Sequence, residues 1–448
     1  RRGWSECFIT AKTIAMGSDR DSDPPVPAAA WKGRNFWTLG LVQITVRTGW
    51  IFKPESIIIP VVLGTLSGAA WMRGFLPMFS RSSYSLVPWL LNERINRLPK
   101  KKWALAASLG GMAICFFALT LLWMFFGESA ANWMPFAFLG LYAAFFVCAG
   151  MTQLCFGTLQ GKLVPATRRG RLMLFGNVGG AAVAIFAASL LLPLWLESGD
   201  GQFHFIFVIS AICFSIAAII GWQLAEGRDA IDGKQKNMRL TASWDILRSD
   251  RAFRRASFLA SLFGTSFVLF PHYQALARIR LQIDFSDLVF WVIVQNAGTA
   301  VVSLIAGFIA DARGNRTVLR LLLFGLFLLP ALALYLSYNL GWGRAICWGI
   351  FLLLGRVPVT LRTLQNYTLE LAPGRDYPRY LSTLGLCIAA PMMVSPLVGL
   401  AIDRWGFDGV FLCVSLVLLF GWFQTFMLAE PRHASIEKPM PGRLNVES

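Results

Sequence analysis

Twelve apolar stretches follow one another along this 448-residue chain, and Arg and Lys gather in every second gap between them. Each stretch approaches or exceeds the roughly 20 apolar residues that a helix needs to cross a bilayer core. No water hydrogen-bonds the backbone at that depth, so each crossing segment must satisfy its own N–H and C=O groups, which a helix does. The stretches lie near 41–66, 72–93, 104–126, 133–160, 172–195 and 203–225, then near 255–277, 287–310, 317–337, 344–371, 380–402 and 408–429. Only 15% of the residues are charged, against roughly 25% in a soluble domain. Little of the chain is left for a soluble catalytic domain. The expected fold is an all-α polytopic membrane protein with twelve transmembrane helices in two six-helix halves.

The gaps set an orientation. With both termini on one side, the segments on that side hold 31 Lys and Arg, and the opposite segments hold five: Arg73, Arg278, Arg280, Arg344 and Arg404. Basic residues in short loops are retained in the cytoplasm, so both termini are expected there, with the chain in the cell membrane. The expected organisation is a polar, disordered tail over 1–35 and a first bundle over 36–225. A basic cytoplasmic connection over 226–254, a second bundle over 255–429 and a tail over 430–448 follow. The chain begins at Arg1 rather than Met, with Met16 a candidate start.

The net charge of +17 would suggest nucleic acid in a soluble protein. Spread over many short cytoplasmic loops, it follows instead from orientation, and no nucleic-acid partner is expected. Eight Cys and three His carry no paired spacing of the kind that disulfide or zinc frameworks need. No metal and no cofactor are expected.

The two halves echo each other. Thr158-Leu159-Gln160 ends the fourth stretch and Thr363-Leu364-Gln365 ends the tenth; each precedes a Pro and a pair of Arg, Pro165 with Arg169 and Arg171, then Pro373 with Arg375 and Arg379. A parallel duplication of six spans fits, as in many secondary transporters. After the eighth stretch the chain reads Gly307-Phe-Ile-Ala-Asp311-Ala-Arg313-Gly314-Asn-Arg316. This resembles the loop signature of the major facilitator superfamily at Gly307, Asp311, Gly314 and Arg316, while Ala312 and Asn315 depart from its basic positions. Gly314 suits a tight turn, and Asp311 suits a helix N-terminus. The loop after the second stretch, from Asn92 to Lys102, keeps the charge but not the Gly. The resemblance implies two pseudo-symmetric six-helix bundles with a substrate cavity between them, rocking to give alternating access. The signature loop would serve that movement rather than touch substrate. The Gly-Pro element common in the family's drug exporters is missing from the fifth stretch, where Gly176 and Gly180 have the spacing of close helix packing.

Ionisable groups within spans are expensive and tend to face a wet interior. In the first stretch Arg47, Lys53 and Glu55 stand beside Pro54 and Pro60, which would break the helix. Either this is a cavity wall, or the span starts near Trp50 and the charges snorkel at its end. Arg356 and Arg362 lie in the tenth stretch. Twelve residues from Arg344, Arg356 falls near mid-membrane, where Glu55 or an anionic substrate group would be its partner. His272 either carries protons or sits in a hydrogen-bonded interior. Gln153, Gln295 and Asn296 either donate to a ligand or join helices. These residues predict a secondary transporter, not an enzyme, for a small polar or anionic solute, with protons as the driver and the lipid bilayer as its other partner. The alternatives are a membrane-embedded enzyme acting on lipid-linked substrates, for which no Asp-rich motif, His-Glu-x-x-His or Gly-rich phosphate loop is present, and a sensor or partner protein that reuses the fold without transporting.

Overall fold

The computed structural model describes residues 28–127, 132–196, 202–228, 240–372 and 377–429, and among these the regular structure is helical. The first span is α1 (Ala28–Ile51) and α2 (Ile58–Leu66), and the second is α3 (Ala70–Asn96). Then come α4 (Lys102–Phe126), α5 (Met134–Leu163), α6 (Ala166–Leu196) and α7 (Phe203–Trp222). A short α8 (Leu240–Ser249) leads into the second half, which starts with α9 (Arg251–Val268) and α10 (Phe270–Leu281) as one span. After α11 (Phe285–Arg313) and α12 (Asn315–Ser337), the tenth span is built from α13 (Leu340–Ile346), α14 (Trp348–Leu354) and α15 (Arg356–Leu371). The eleventh is α16 (Tyr377–Ala389) and α17 (Ser395–Trp405), joined by a 3-10 turn, and the last is α18 (Phe407–Gln424). This is an all-α polytopic membrane protein of twelve spans in two six-helix bundles.

Nine helices among the described residues are long and apolar enough to cross a membrane. The three spans that fall short are the first, second and seventh. They hold Lys53 and His272, both fully buried, and Arg81, which is half-buried. They fall short in length and composition: α2 and α10 are short, and charged and polar residues interrupt α1, α3 and α9.

Two local breaks shape the centre. Pro54 cannot donate a backbone hydrogen bond, and the first span unwinds around it. The Trp50 carbonyl, which loses its helical donor at Pro54, accepts from the Lys53 N–H at 3.2 Å, and the Pro54 carbonyl accepts from the N–H groups of Ile57, Ile58 and Ile59. The expected second break at Pro60 does not occur. Pro60 falls in the first turn of α2, where a missing N–H leaves no helical bond unmade. In the seventh span Pro271 opens α10 in the same permissive place.

The structure also moves boundaries. Helix α1 begins at Ala28, inside the segment expected to be a disordered tail, and α9 begins at Arg251, inside the expected 226–254 connection. Residues 1–27, 229–239 and 430–448 of the expected tails and connection lie outside the described residues.

One continuous hydrophobic core runs through both halves. In the first, α4, α5 and α7 meet through rings: Phe116 lies 4.9 Å from Phe145 and 5.7 Å from Phe214. Glu226, its side chain fully buried, fastens one end of that half by accepting from the Lys102 N–H at 2.7 Å and from Lys162 Nζ at 2.8 Å. Asn35 ties α1 to the same place through two bonds with the Ala225 backbone. In the second half, glycines let helices approach: Gly264 abuts the Ile388 carbonyl, and Gly298 and Gly355 bring α11 against α14 and α15. The halves meet where α3 runs along α16 and α17, where α6 meets α11, and where α10 touches α2 and α3.

Candidate functional site

The site forms at the break in the first span. Helix α2 has nine residues, so the break lies roughly 14 Å from that end of the protein at ~1.5 Å per residue. That is close to the middle of a roughly 30 Å hydrocarbon core. Lys53 is wholly buried there. Its Nζ lies 3.4 Å from the Trp50 ring centroid, 4.2 Å from Phe145, 4.6 Å from Phe146 and 5.4 Å from Tyr142. Among the described residues it has no hydrogen-bond partner, so ring faces and one carboxylate hold the charge. That carboxylate is Glu55, which interacts electrostatically with Lys53, Arg81, Tyr84 and Tyr142.

The opposite wall comes from the second half. The Arg81 guanidinium sits 4.0 Å over the ring of Phe267 in the seventh span, a cation–π contact between halves. Ser56 Oγ donates to Gln295 Oε1 of α11 at 2.7 Å. Gln295 is therefore bound across the halves in this conformation. Asn296 donates to the Val292 carbonyl of its own helix.

Roughly 9 Å from the break along each helix, away from α2, a second pair of charges faces inward. Arg47 of α1 lies within electrostatic reach of Arg362 of α15 across the halves. Arg47 donates to Asn177 Oδ1 at 3.4 Å, and Gly176 and Gly180 of α6 make room for Gln43 and Arg47, the close packing expected of that spacing. Arg362, Gln365, Asn366 and Gln153 are exposed on neighbouring turns. Polar side chains of this kind are not stable against lipid, so their exposure marks a wet gap that opens on the face bearing the basic loops.

The other face is shut. Asp403 at the end of α17 accepts from the N–H groups of Ala70 at 2.7 Å and Trp71 at 2.9 Å, capping α3 from the other half. Gly399 lies against the backbone of Ala70 and Trp71, and Gly74 against Ser395 and Pro396, with no space for a Cβ at either. His272 is fully buried near Arg73, and among the described residues neither of its ring nitrogens has a hydrogen-bond partner.

Several sequence expectations land elsewhere. Arg356 is not opposite Glu55: it lies between α11 and α12, its guanidinium over Gly325 and surrounded by Val302, Leu321, Leu353 and other apolar side chains. Its depth follows from residue count, but rotation about the helix turns it away from the cavity. In the signature loop, Gly314 has φ of 83° and is the single residue between α11 and α12, and Arg316 donates to the Leu428 carbonyl at 3.0 Å. Gly307 and Asp311 are exposed near the end of α11.

Trp50, Arg81, Tyr84, Tyr142, Phe267 and Asp403 were not singled out from the sequence. One signal was available for the last. Gly399-Leu-Ala-Ile-Asp403-Arg-Trp-Gly406 repeats the Gly-x-x-x-Asp-x-x-Gly spacing of 307–314, and Gly406 has φ of 81°.

No protein-family profile and no curated protein matches the sequence. Solved structures do match in shape. The nucleoside transporter NupG superposes with a TM-score of 0.63 at 12% identity, over 89% of this chain and 98% of that one. A POT family transporter in complex with 5-aminolevulinic acid gives 0.67 at 13%, over 90% and 97%. A bacterial homologue of the human lysosomal transporter Spinster, in an inward-facing and unoccupied conformation, gives 0.62 at 12%, over 94% and 100%. Agreement over nearly the whole length at such low identity establishes architecture: this chain has the fold of the major facilitator superfamily transporters.

Proposed function

We propose that this protein is a secondary active transporter of a small anionic or polar solute, working by alternating access and driven by protons. The observation that carries the reading is that Arg47 and Arg362, one from each half, lie within electrostatic reach of each other, with Arg362, Gln365 and Asn366 exposed on α15. Like charges held together favour whatever anion enters between them. An anion bound to both would draw the halves together on the basic face and so favour rearrangement. By the bias of Lys and Arg in short loops that face is cytoplasmic, the membrane is the cell membrane, and both termini lie inside. The conformation is then open inward and closed outward.

Glu55 is the carboxylate at mid-depth facing Lys53, Arg81, Tyr84 and Tyr142. Protonating it would release Lys53 and Arg81 from their counter-charge, a local change that both halves feel because Arg81 also rests on Phe267. This makes Glu55 the coupling residue of the proposal. The signature loop at Gly307, Asp311, Gly314 and Arg316 serves movement, since Gly314 and Arg316 fix α12 to its neighbours.

Purified protein in vesicles tests this by uptake of labelled anionic and neutral metabolites, with and without a pH gradient. Arg47→Gln and Arg362→Gln are each expected to lower uptake about tenfold, the loss of one charge-assisted contact. Glu55→Gln is expected to keep solute exchange and abolish accumulation driven by the gradient. Unchanged uptake in the double Arg variant would overturn the anion reading. Failure of every solute to cross would overturn transport.

A further inference from the structure

Arg356 stands apart from the central site and points to another. Two adjoining cavities of about 150 and 310 Å³ share Leu321 and Arg356; the first lies between α11 and α12, and the second between α12 and Leu353 of α14. Their rim residues Ile305, Leu321, Phe324 and Leu328 are apolar and exposed. On a membrane span that surface meets acyl chains, so the groove opens to lipid.

The guanidinium is the polar end of an otherwise greasy slot. Among the described residues Arg356 makes no ion pair, and its Nε is buried without a hydrogen-bond partner. The side chain reaches α12 only because position 325 is Gly; a Cβ there would collide with Nη1. Gly325 is ten residues from the start of α12, or roughly 15 Å, so the charge lies deep rather than at the interface. Arg keeps its proton in such places, and an unpaired charge there is costly.

We propose that this groove binds a single-chain carboxylic acid of the fatty-acid type from the bilayer, with Arg356 as the counter-ion of its carboxylate and the groove walls as the seat of its chain. Depth selects the head group. A carboxylate leaving water takes one proton there, reaches mid-membrane as the neutral acid, and on pairing with the guanidinium gives that proton back to water, so no net proton is gained. A phospholipid phosphate stays ionised and is held near the interface. The larger cavity, of about 310 Å³, stands at the lower end of the roughly 300–1,000 Å³ of ligand sites, and like them it is mostly apolar with one polar group. The inference is independent of the solute path through the central cavity.

Binding of labelled palmitate to the full-length protein in nanodiscs of neutral lipid tests it. Palmitate should bind saturably, and hexadecanol, with the same chain and no charge, should compete about tenfold or more less well. Arg356→Met and Gly325→Val should each weaken binding by about the same factor, the first by removing the charge and the second by filling its notch. The hexadecanol comparison needs no variant, so a folding defect cannot decide the outcome. Equal competition by hexadecanol, unchanged binding in folded Arg356→Met, or displacement of palmitate by phosphatidylglycerol at equal concentration would each overturn the proposal.

Discussion

The two ends of the seam between the halves are built on opposite principles. At the shut end, directed bonds and bare backbone join them: Asp403 caps α3, and Gly74 and Gly399 remove every atom that would keep the helices apart. At the basic end, two like charges, Arg47 and Arg362, stand within electrostatic reach, and the amides of Gln153, Gln365 and Asn366 are exposed. The first contact is complete without a ligand. The second invites one. A conformational equilibrium set by such a contrast should respond to single side chains at either end, and in opposite directions.

The largest effect is expected at the glycines. Gly399→Leu would force α17 off α3, and accessibility of the closed face to a membrane-impermeant thiol reagent, read at an introduced Gly68→Cys, should rise from near zero to near complete. Uptake should fall to background. If the face stays closed and transport continues, the close approach is not what seals it.

Asp403→Ala comes next. It removes two hydrogen bonds from a charged acceptor, each worth about 1.5–3 kcal/mol before competition with water. The expected net shift toward the open outer face is about 1–3 kcal/mol, a factor of about 5–150 in population. Asp403→Asn, which keeps an acceptor, should give less. Equal accessibility in all three proteins would show that the cap is incidental.

At the other end, Arg362→Glu places an attraction where a repulsion stands. The basic face should close, and labelling of an introduced Gln153→Cys from that side should slow by about fivefold, the worth of roughly 1 kcal/mol between partly solvated charges. Faster labelling would mean that Arg47 and Arg362 are not what holds the gap open. The smallest effect is expected at Asn296→Ala. Its amide is engaged with the Val292 carbonyl, so uptake should change by less than about twofold, within ~0.4 kcal/mol.

Hydropathy and loop charge revealed the number of spans, their order and the depth of each buried charge, because burial in lipid acts along the membrane normal. They did not reveal rotation about helix axes. Arg356 has the depth expected of it and faces the wrong way, since α15 presents different sides to the cavity and to α12. Trp50, Tyr142 and Phe145 look like ordinary core residues in the sequence; only the fold brings their faces around Lys53. Pro54 and Pro60 look alike as breakers, and the difference between them is a matter of where the next helix starts.

The one-residue connectors have a mechanical consequence. Gly314 and Gly406, with φ of 83° and 81°, join α11 to α12 and α17 to α18 with no slack. Neither pair can slide along its own length without unwinding a turn, so a tilt of α17 away from α3 must carry α18 with it. The second half should therefore travel as stiff hairpins, leaving the broken first span, with its proline and its caged lysine, as the compliant part of the machine.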